Sequence, residues 1–196
     1  MKIVLARNNN GKLREFNRLL SPLNIEVHPQ GEFNIPAAEE PYGTFLENCL
    51  AKARHAAKLT GLPAIADDSG ICVNALGGAP GVHSARFAGE PGNDQGNALL
   101  VEKLKGVSDR GAHYTCVLVA VRSAEDPEPI IAEGRWYGEV IDSPRGEGGF
   151  GYDPYFLLPQ VEKTAAELTA DEKNAVSHRG IAMVKLIDEM KKRWAL

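Results

Sequence analysis

The sequence predicts an α/β fold, and three observations carry that prediction. Tyr114 to Arg122 alternates Thr115, Val117, Val119 and Val121 with Cys116, Leu118 and Ala120. Both faces of this segment are apolar, so it belongs near the centre of a sheet. Lys2 to Ala6 is a compact apolar run that leads into Leu13, Phe16, Leu19 and Leu20, spaced along one helical face. Thr44-Phe45-Leu46-Glu47 has the pattern of a capping box and opens a second helix, with Phe45, Cys49, Ala53 and Ala56 or Ala57 on one side.

The elements follow in order. The first strand covers Lys2 to Ala6. A polar loop from Arg7 to Lys12 precedes the first helix, which Ser21-Pro22 ends. Ile25-Glu26-Val27 is the second strand, with Ile25 and Val27 on one face. A polar, proline-containing connection carries Glu39 and Glu40. The second helix runs from about Phe45 to Leu59 and is closed by Gly61 and Pro63. Ala64-Ile65-Ala66 reads as a short buried strand that ends in the carboxylates of Asp67 and Asp68. Ile71 to Ala75 starts another strand, and Gly77 to Gly81 makes a sharp bend. His83 to Phe87 is too mixed to assign, and Asn97 to Leu104 reads as a short helix. Beyond the central strand, Asp126-Pro127-Glu128-Pro129 makes a turn and Ile130 to Tyr137 pairs back as a hairpin strand. Glu139-Val140-Ile141 extends the sheet, and Tyr155 to Leu158 resumes a strand. Thr169-Ala170-Asp171-Glu172 starts a helix. A final helix runs from about His178 to Trp194, with Ile181, Val184, Leu186 or Ile187, and Met190 as its buried stripe.

Composition narrows the function classes. A chain of 196 residues is long enough for one substantial domain, or a domain with a small lobe. Lys and Arg number 22 against 26 for Asp and Glu, a net charge of -4. That balance lacks the basic face of a duplex-binding protein, so no nucleic-acid partner is expected, although a local basic pocket for a small anion is compatible with it. Cys49, Cys72 and Cys116 are scattered, with neither zinc spacing nor a disulfide framework, which predicts a reducing compartment. The apolar N-terminal run is too short for a signal peptide, and no apolar stretch is long enough to span a bilayer. The expectation is a cytoplasmic protein with no membrane partner.

Three stretches carry chemistry. Adjacent carboxylates at Asp67 and Asp68 are costly to bury unless a cation joins them. A divalent ion, or a water awaiting deprotonation, supplies a reason for them. So does a plain acidic turn, with Asp67 in an Asx-turn. The loop Arg7-Asn8-Asn9-Asn10-Gly11-Lys12 runs from a strand into a helix N-terminus, a geometry that favours anions but also describes an ordinary turn. Its spacing is not that of a P-loop. The stretch Gly146-Glu147-Gly148-Gly149-Phe150-Gly151-Tyr152-Asp153-Pro154 holds four glycines at its core positions and two aromatics. Glycine there implies sharp bending or close approach to a ligand. Phe150 is a candidate platform for stacking a base. The alternative is a hairpin loop whose aromatics tuck into the core.

Read together, Asn9-x-x-Lys12, Glu39-Glu40, Ala66-Asp67-Asp68-Ser69-Gly70, Gly77-Gly78-Ala79-Pro80-Gly81, Phe150-Gly151-Tyr152-Asp153-Pro154 and Ser177-His178-Arg179-Gly180 resemble the Ham1/RdgB-type inosine triphosphate pyrophosphatases. The resemblance covers nearly the whole chain. It implies a long, mixed, twisted sheet flanked by helices, with residues 1–196 forming one domain of two lobes around a central nucleotide-binding cleft. It implies magnesium-dependent hydrolysis of inosine, deoxyinosine and xanthosine triphosphates to the monophosphate and pyrophosphate, by a homodimer. Asp68 matches the family's proton acceptor, and Glu40 with Asp68 its Mg2+ ligands, Glu39 being adjacent enough to substitute. The substrate-binding residues expected toward the phosphates are Arg7, Asn8, Asn9, Asn10, Gly11, Lys12, Lys52 and Ser69. Toward the base they are Phe150, Gly151, Tyr152, Asp153, Lys173, Ser177, His178 and Arg179. A donor such as Arg179 suits a 6-oxo purine. By itself Lys52 also fits a solvated helix face, and His178 a capping or core histidine.

One departure stands out. The family has Ser or Thr two residues before the loop Asn, where this chain has Arg7, followed by Asn8. A hydroxyl contact is lost there, and Arg7 either replaces it by charge or points away. Two other readings stay open: a pyrimidine nucleotide pyrophosphatase of the Maf type, opposed by Ser177-His178-Arg179-Gly180, and a non-catalytic nucleotide-binding module, opposed by Asp68 and Lys12.

Overall fold

The computed structural model describes residues 1–89 and 93–195. Seven strands form one sheet in the order β2-β1-β3-β4-β5-β6-β7. They are β1 (Lys2–Leu5), β2 (Glu26–Pro29), β3 (Ala64–Val73), β4 (Gly111–Val121), β5 (Ile130–Val140), β6 (Phe156–Leu158) and β7 (Lys163–Thr164). The helices are α1 (Asn10–Leu20), α2 (Phe45–Thr60), α3 (Asn93–Lys103), α4 (Ala170–Val176) and α5 (His178–Arg193). Strand β1 pairs in parallel with β2, Lys2 opposite Glu26, and with β3, Val4 opposite Ala64. Parallel neighbours need crossovers, and α1 and α2 supply them. At the other edge β6 is antiparallel to both β5 and β7, so the sheet is mixed, as the family resemblance implies.

The helix ends form where short polar side chains satisfy free backbone N–H groups. Asn9 caps α1, its Oδ1 accepting from the N–H of Lys12 at 3.0 Å. Thr44 caps α2, its hydroxyl accepting from the N–H of Glu47 at 3.2 Å, and Gly61 closes that helix in the left-handed conformation. A full capping box at Thr169 and Glu172 starts α4.

The chain divides into two compact units. The first comprises residues 1–68, 117–133 and 182–196, and the second residues 69–116 and 134–181. Each has its own core. In the first, Val4, Ala6, Ala64, Ala66, Val117 and Val119 pack against Cys49, Ala53, Ala56 and Ala57 of α2. The small residues of that helix face let it lie close on the sheet. In the second, Ile71, Val73, Tyr114, Trp136, Tyr152 and Phe156 pack with Leu100 and Leu104. Among the described residues no helix is long and apolar enough to cross a membrane.

Two expectations are corrected. The acidic run does not end a strand. β3 continues without interruption from Ala64 through Asp67, Asp68, Ser69 and Gly70 to Val73. Successive side chains of a strand point to opposite faces, so the two carboxylates take different ion-pair partners and the backbone has no need to turn. In α5, Val184 is 70% exposed, while Ala182, Met183, Leu186 and Met190 are buried. At 100° per residue the stripe through Met183, Leu186 and Met190 leaves Val184 on the far side.

Gly138, on β5, shows how tightly the second unit is packed. A Cβ there would lie 2.5 Å from the backbone oxygen of Leu157 and 2.8 Å from the Phe156 ring. Backbone cannot yield as a flexible side chain can, so Gly138→Ala is expected to destabilise the protein by about 1–3 kcal/mol. Urea or thermal unfolding measures this; stability within 0.5 kcal/mol, roughly the scatter of neutral surface changes, contradicts it.

Candidate active site

The first unit gathers three cations and three carboxylates from four elements and the connection before α2, which carries Glu40. β1 delivers Arg7 just beyond its end, α1 delivers Lys12 in its first turn, α2 delivers Lys52, and β3 delivers Asp67 and Asp68. Strand alternation sorts them. Ala64, Ala66 and Asp68 face α2, so Asp68 Oδ1 meets Lys52 Nζ at 3.2 Å. Asp67 faces the other way. There it forms an ion pair with Lys12 and accepts from Arg7 Nη1 at 3.3 and 3.2 Å, one distance to each oxygen. The Asp67 side chain is 1% exposed, and two cations on it offset the desolvation that burial imposes.

Lys52 is not on a solvated helix face. It is buried, and its ammonium also donates to Glu40 Oε1 at 2.5 Å. Asn48, one turn before it on the same helix, holds the chain that carries Glu40. Its carboxamide accepts from the N–H of Tyr42 and donates to the Tyr42 carbonyl, both at 3.0 Å. Glu40 and Asp68 therefore converge on a single positive point.

Titration follows from this packing. Burial pushes the Asp68 carboxyl above its ordinary range; the ammonium of Lys52 opposes the rise, and the negative charges of Glu40 and Asp67 add to it. Burial lowers the Lys52 ammonium, but Asp68 and Glu40 outweigh it and hold that group above its usual value. Asp67 holds the Arg7 guanidinium firmly charged. The arrangement provides a carboxylate more basic than usual beside cations suited to phosphate.

The other polar residues of the loop sit as follows. Asn8, Asn9, Asn10 and Gly11 are exposed. Asn8 Oδ1 accepts from the N–H of Gly31 at 2.7 Å, a contact that leaves no room for a Cβ at Gly31. Asn9 uses its carboxamide oxygen as the helix cap, which leaves its NH2 group as a donor. Ser69 follows Asp68 on β3 and is half-buried.

The second unit gathers the aromatic and basic residues. Asp153 is 2% exposed and accepts from three donors: the Tyr114 hydroxyl at 3.0 Å, the Phe150 N–H at 2.8 Å, and the ammonium of Lys173. Phe150 is 59% exposed. Lys173 Nζ lies 4.5 Å from its ring centroid, and Arg179 Cζ 5.8 Å, so two cations stand over one ring. Arg179 Nε is buried and makes no hydrogen bond among the described residues. Ser177 is buried, its hydroxyl accepting from the N–H of Gly180 at 3.2 Å. His178 is buried and stacks on Tyr114, centroids 4.7 Å apart and planes 12° apart. Tyr152 goes to the core, its hydroxyl donating to the Ser84 carbonyl at 2.6 Å, and Gly151 accepts from Asn97 Nδ2 at 3.0 Å. The two aromatics of the loop thus part company: Phe150 faces outward and Tyr152 packs inward.

Sequence reasoning missed Asn48 and Tyr114. Asn48 carried a usable signal, being a polar residue on the buried side of α2, four residues before Lys52. Tyr114 carried none, because it reads as the first residue of an apolar strand.

Comparison with known proteins finds relatives over nearly the full length. A model of the Ham1 family matches residues 3–189. A protein of Ralstonia nicotianae named dITP/XTP pyrophosphatase is 66% identical over 194 residues, which cover 97% of this chain and 96% of that one. One of the same name from Chromobacterium violaceum is 61% identical over 191 residues, covering 97% of each. The structure of a HAM1 protein from Coxiella burnetii superposes with a TM-score of 0.95 at 47% identity, covering 98% of this chain and 99% of that one. The Staphylococcus aureus Ham1 protein gives 0.92 at 38%, again covering 98% and 99%.

The raised Asp68 carboxyl has a measurable consequence in the metal-free protein. The native state holds this proton at pH values where the unfolded chain has released it. Asp68 therefore makes stability fall as pH rises from the unfolded carboxyl value through the raised native one. NMR titration should find Asp68 above the ordinary aspartate range, and Lys52→Gln should move it higher still by removing the opposing charge. A midpoint in Lys52→Gln at or below that of the wild type contradicts this account.

Proposed function

The chain belongs to the Ham1 family, and from that premise we infer that it hydrolyses non-canonical purine nucleoside triphosphates, those of inosine, deoxyinosine and xanthosine, to the monophosphate and pyrophosphate. The observation that carries the reading is Asp68: a half-buried carboxylate of raised pKa, ion-paired with Lys52, on the strand that also meets Lys12 and Arg7. Cleavage between the α- and β-phosphates needs charge neutralisation, an aimed water and a proton acceptor. The cations of the first unit supply the first. Lys12 and Lys52 exchange their carboxylate partners for phosphate oxygens, and Arg7 remains on Asp67, so that carboxylate stays paired when Lys12 leaves it. Asp68 takes the proton of the attacking water. The water oxygen joins the α-phosphorus, the bond to the bridging oxygen breaks, and pyrophosphate departs.

The donor set fits magnesium. Glu40 and Asp68 present carboxylate oxygens converging on one positive charge, here that of Lys52. Among the described residues no larger cluster of His, Cys, Asp or Glu could hold an ion. One or two carboxylates, completed by phosphate and water, is the set magnesium takes. When bound, the ion neutralises phosphate charge and acidifies nearby water. Glu39 lies beside Glu40 in sequence, but the observed contact to Lys52 is through Glu40.

In the second unit Phe150 offers its ring to a base, and Arg179, with His178, donates to the O6 of a 6-oxo purine. Adenine carries an amino group at that position and would confront donors with a donor. The reading carries with it a homodimer in the cytoplasm, as the family resemblance implies.

The decisive assay is release of pyrophosphate from a panel of nucleoside triphosphates with magnesium and with excess chelator. Turnover of inosine triphosphate that chelator abolishes is expected; a protein that binds nucleotide without turnover is not this enzyme. Asp68→Asn should lower kcat by about 10²–10⁴, the usual loss on removing a general base, while nucleotide binding persists. A variant within a few-fold of the wild type would exonerate Asp68.

Base selection is tested separately. Arg179→Ala should lower kcat/KM for inosine triphosphate more than for adenosine triphosphate, because a hydrogen-bonding site rejects the wrong base by leaving polar groups unpaired. Phe150→Ala should weaken both alike. An unchanged ratio in Arg179→Ala moves the role elsewhere in the second unit.

A further inference from the structure

Tyr114 belongs to no motif, yet it touches both parts of the group assigned to the base. It is buried, and its hydroxyl donates to Asp153 Oδ1 at 3.0 Å. Its ring lies face to face with His178, 4.7 Å between centroids and 12° between planes, and edge-on to Phe156 at 4.6 Å. The other oxygen of Asp153 takes the N–H of Phe150 and the ammonium of Lys173. Gly149, in the left-handed conformation at φ 70°, has no room for a Cβ, which would run into that same carboxylate.

We propose that Tyr114 is a specificity-determining positioning residue, which sets the Phe150 platform through Asp153 and the plane of His178 through its own ring. The proposal rests on the reading of the second unit as the base pocket. Asp153 is nearly inaccessible and already accepts from three donors, so it is committed to holding the pocket rather than to reading a base. Its two oxygens divide the work: Oδ2 fixes the loop at Phe150 and fixes Lys173, and Oδ1 is held by Tyr114. Without the hydroxyl, a buried carboxylate oxygen loses its donor and the group turns toward its remaining partners. Phe150 and Lys173 turn with it, and Lys173 Nζ is one of the two charges above the Phe150 ring. The second link is the ring stack, which orients His178 and with it the first turn of α5, where Arg179 is the next residue. Burial and the negative charge of Asp153 keep the phenol protonated far above neutral pH, so the donor persists wherever the protein is folded.

Tyr114→Phe separates the two links, because it removes the hydroxyl and keeps the ring. Three measurements are made on the full chain: affinity for inosine monophosphate, affinity for pyrophosphate, and kcat and KM for inosine and adenosine triphosphates. Affinity for inosine monophosphate should fall about tenfold, the effect of losing one hydrogen bond to a charged group. KM for inosine triphosphate should rise by a similar factor, with kcat within about threefold since the first-unit residues are untouched, and the ratio of inosine to adenosine triphosphate should narrow. Pyrophosphate affinity should not change, which excludes general damage. In an Asp153→Asn background the same substitution should add little, as expected when two residues act as one unit. Unchanged monophosphate affinity and selectivity, equal loss of pyrophosphate binding, or simple additivity with Asp153→Asn each overturn the proposal. A wild type that neither binds inosine monophosphate nor turns over its triphosphate overturns the function itself; a wild type that does both, with an unaltered Tyr114→Phe variant, overturns only the role of Tyr114.

Discussion

The ion-paired cluster of the first unit depends on the two-residue period of one strand. Asp67 and Asp68 are neighbours in sequence that point to opposite faces of the strand. β3 sends one toward Lys12 and Arg7 and the other toward Lys52 and Glu40. Two like charges on one face would have forced protonation of one of them. Placed on opposite faces, each acquires its own counter-charge, and the helices that carry those charges must end where they do. The caps at Asn9 and Thr44 are in this sense subordinate to the strand: they fix the starts of the helices that bring Lys12 and Lys52 to the carboxylates.

The second unit solves a different problem with the same kind of residue. Asp153 is also buried, but its partners are a backbone amide, a phenol and an ammonium, each from a different element. The glycines beside it are a consequence. Gly149 cannot carry a side chain because the carboxylate occupies the place, and Gly148 packs 2.8 Å from the Ala166 carbonyl at its absent Cβ. The richness in glycine therefore reflects close approach to the protein's own backbone and carboxylate as much as room for a ligand. The exposed Phe150 is the outward product of this inward packing.

What the sequence revealed and what it concealed divide along physical lines. Local signals were legible: the Thr44 cap of α2, the doubly apolar β4, and the glycine closing α2. The paired aspartates were legible as a charge problem requiring cations. The form of the answer was not, because two adjacent carboxylates after a short apolar run read as the end of a strand, while the backbone stays extended through them in β3. Lys52 looked like one of several surface cations on α2, and only the tertiary fold shows it buried between two acids. The α5 stripe was displaced because Val184 is apolar enough to fit the wrong phase. Tyr114 was invisible for a deeper reason: its partners lie 39 and 64 residues away along the chain, and no local pattern encodes them.

The pairing of cations and acids in the first unit also governs how the protein meets its surroundings. Arg7, Lys12 and Lys52 carry three positive charges, and Glu40, Asp67 and Asp68 carry three negative ones. At a distance beyond the Debye length, about 8 Å in physiological salt, such a patch presents almost no field. A cell is crowded with polyanions that would settle on an uncompensated cluster of lysines and arginines. This one is silent until a ligand comes close enough to offer each cation a better oxygen. The contribution of this cluster to capture is thereby a matter of short-range exchange rather than long-range attraction.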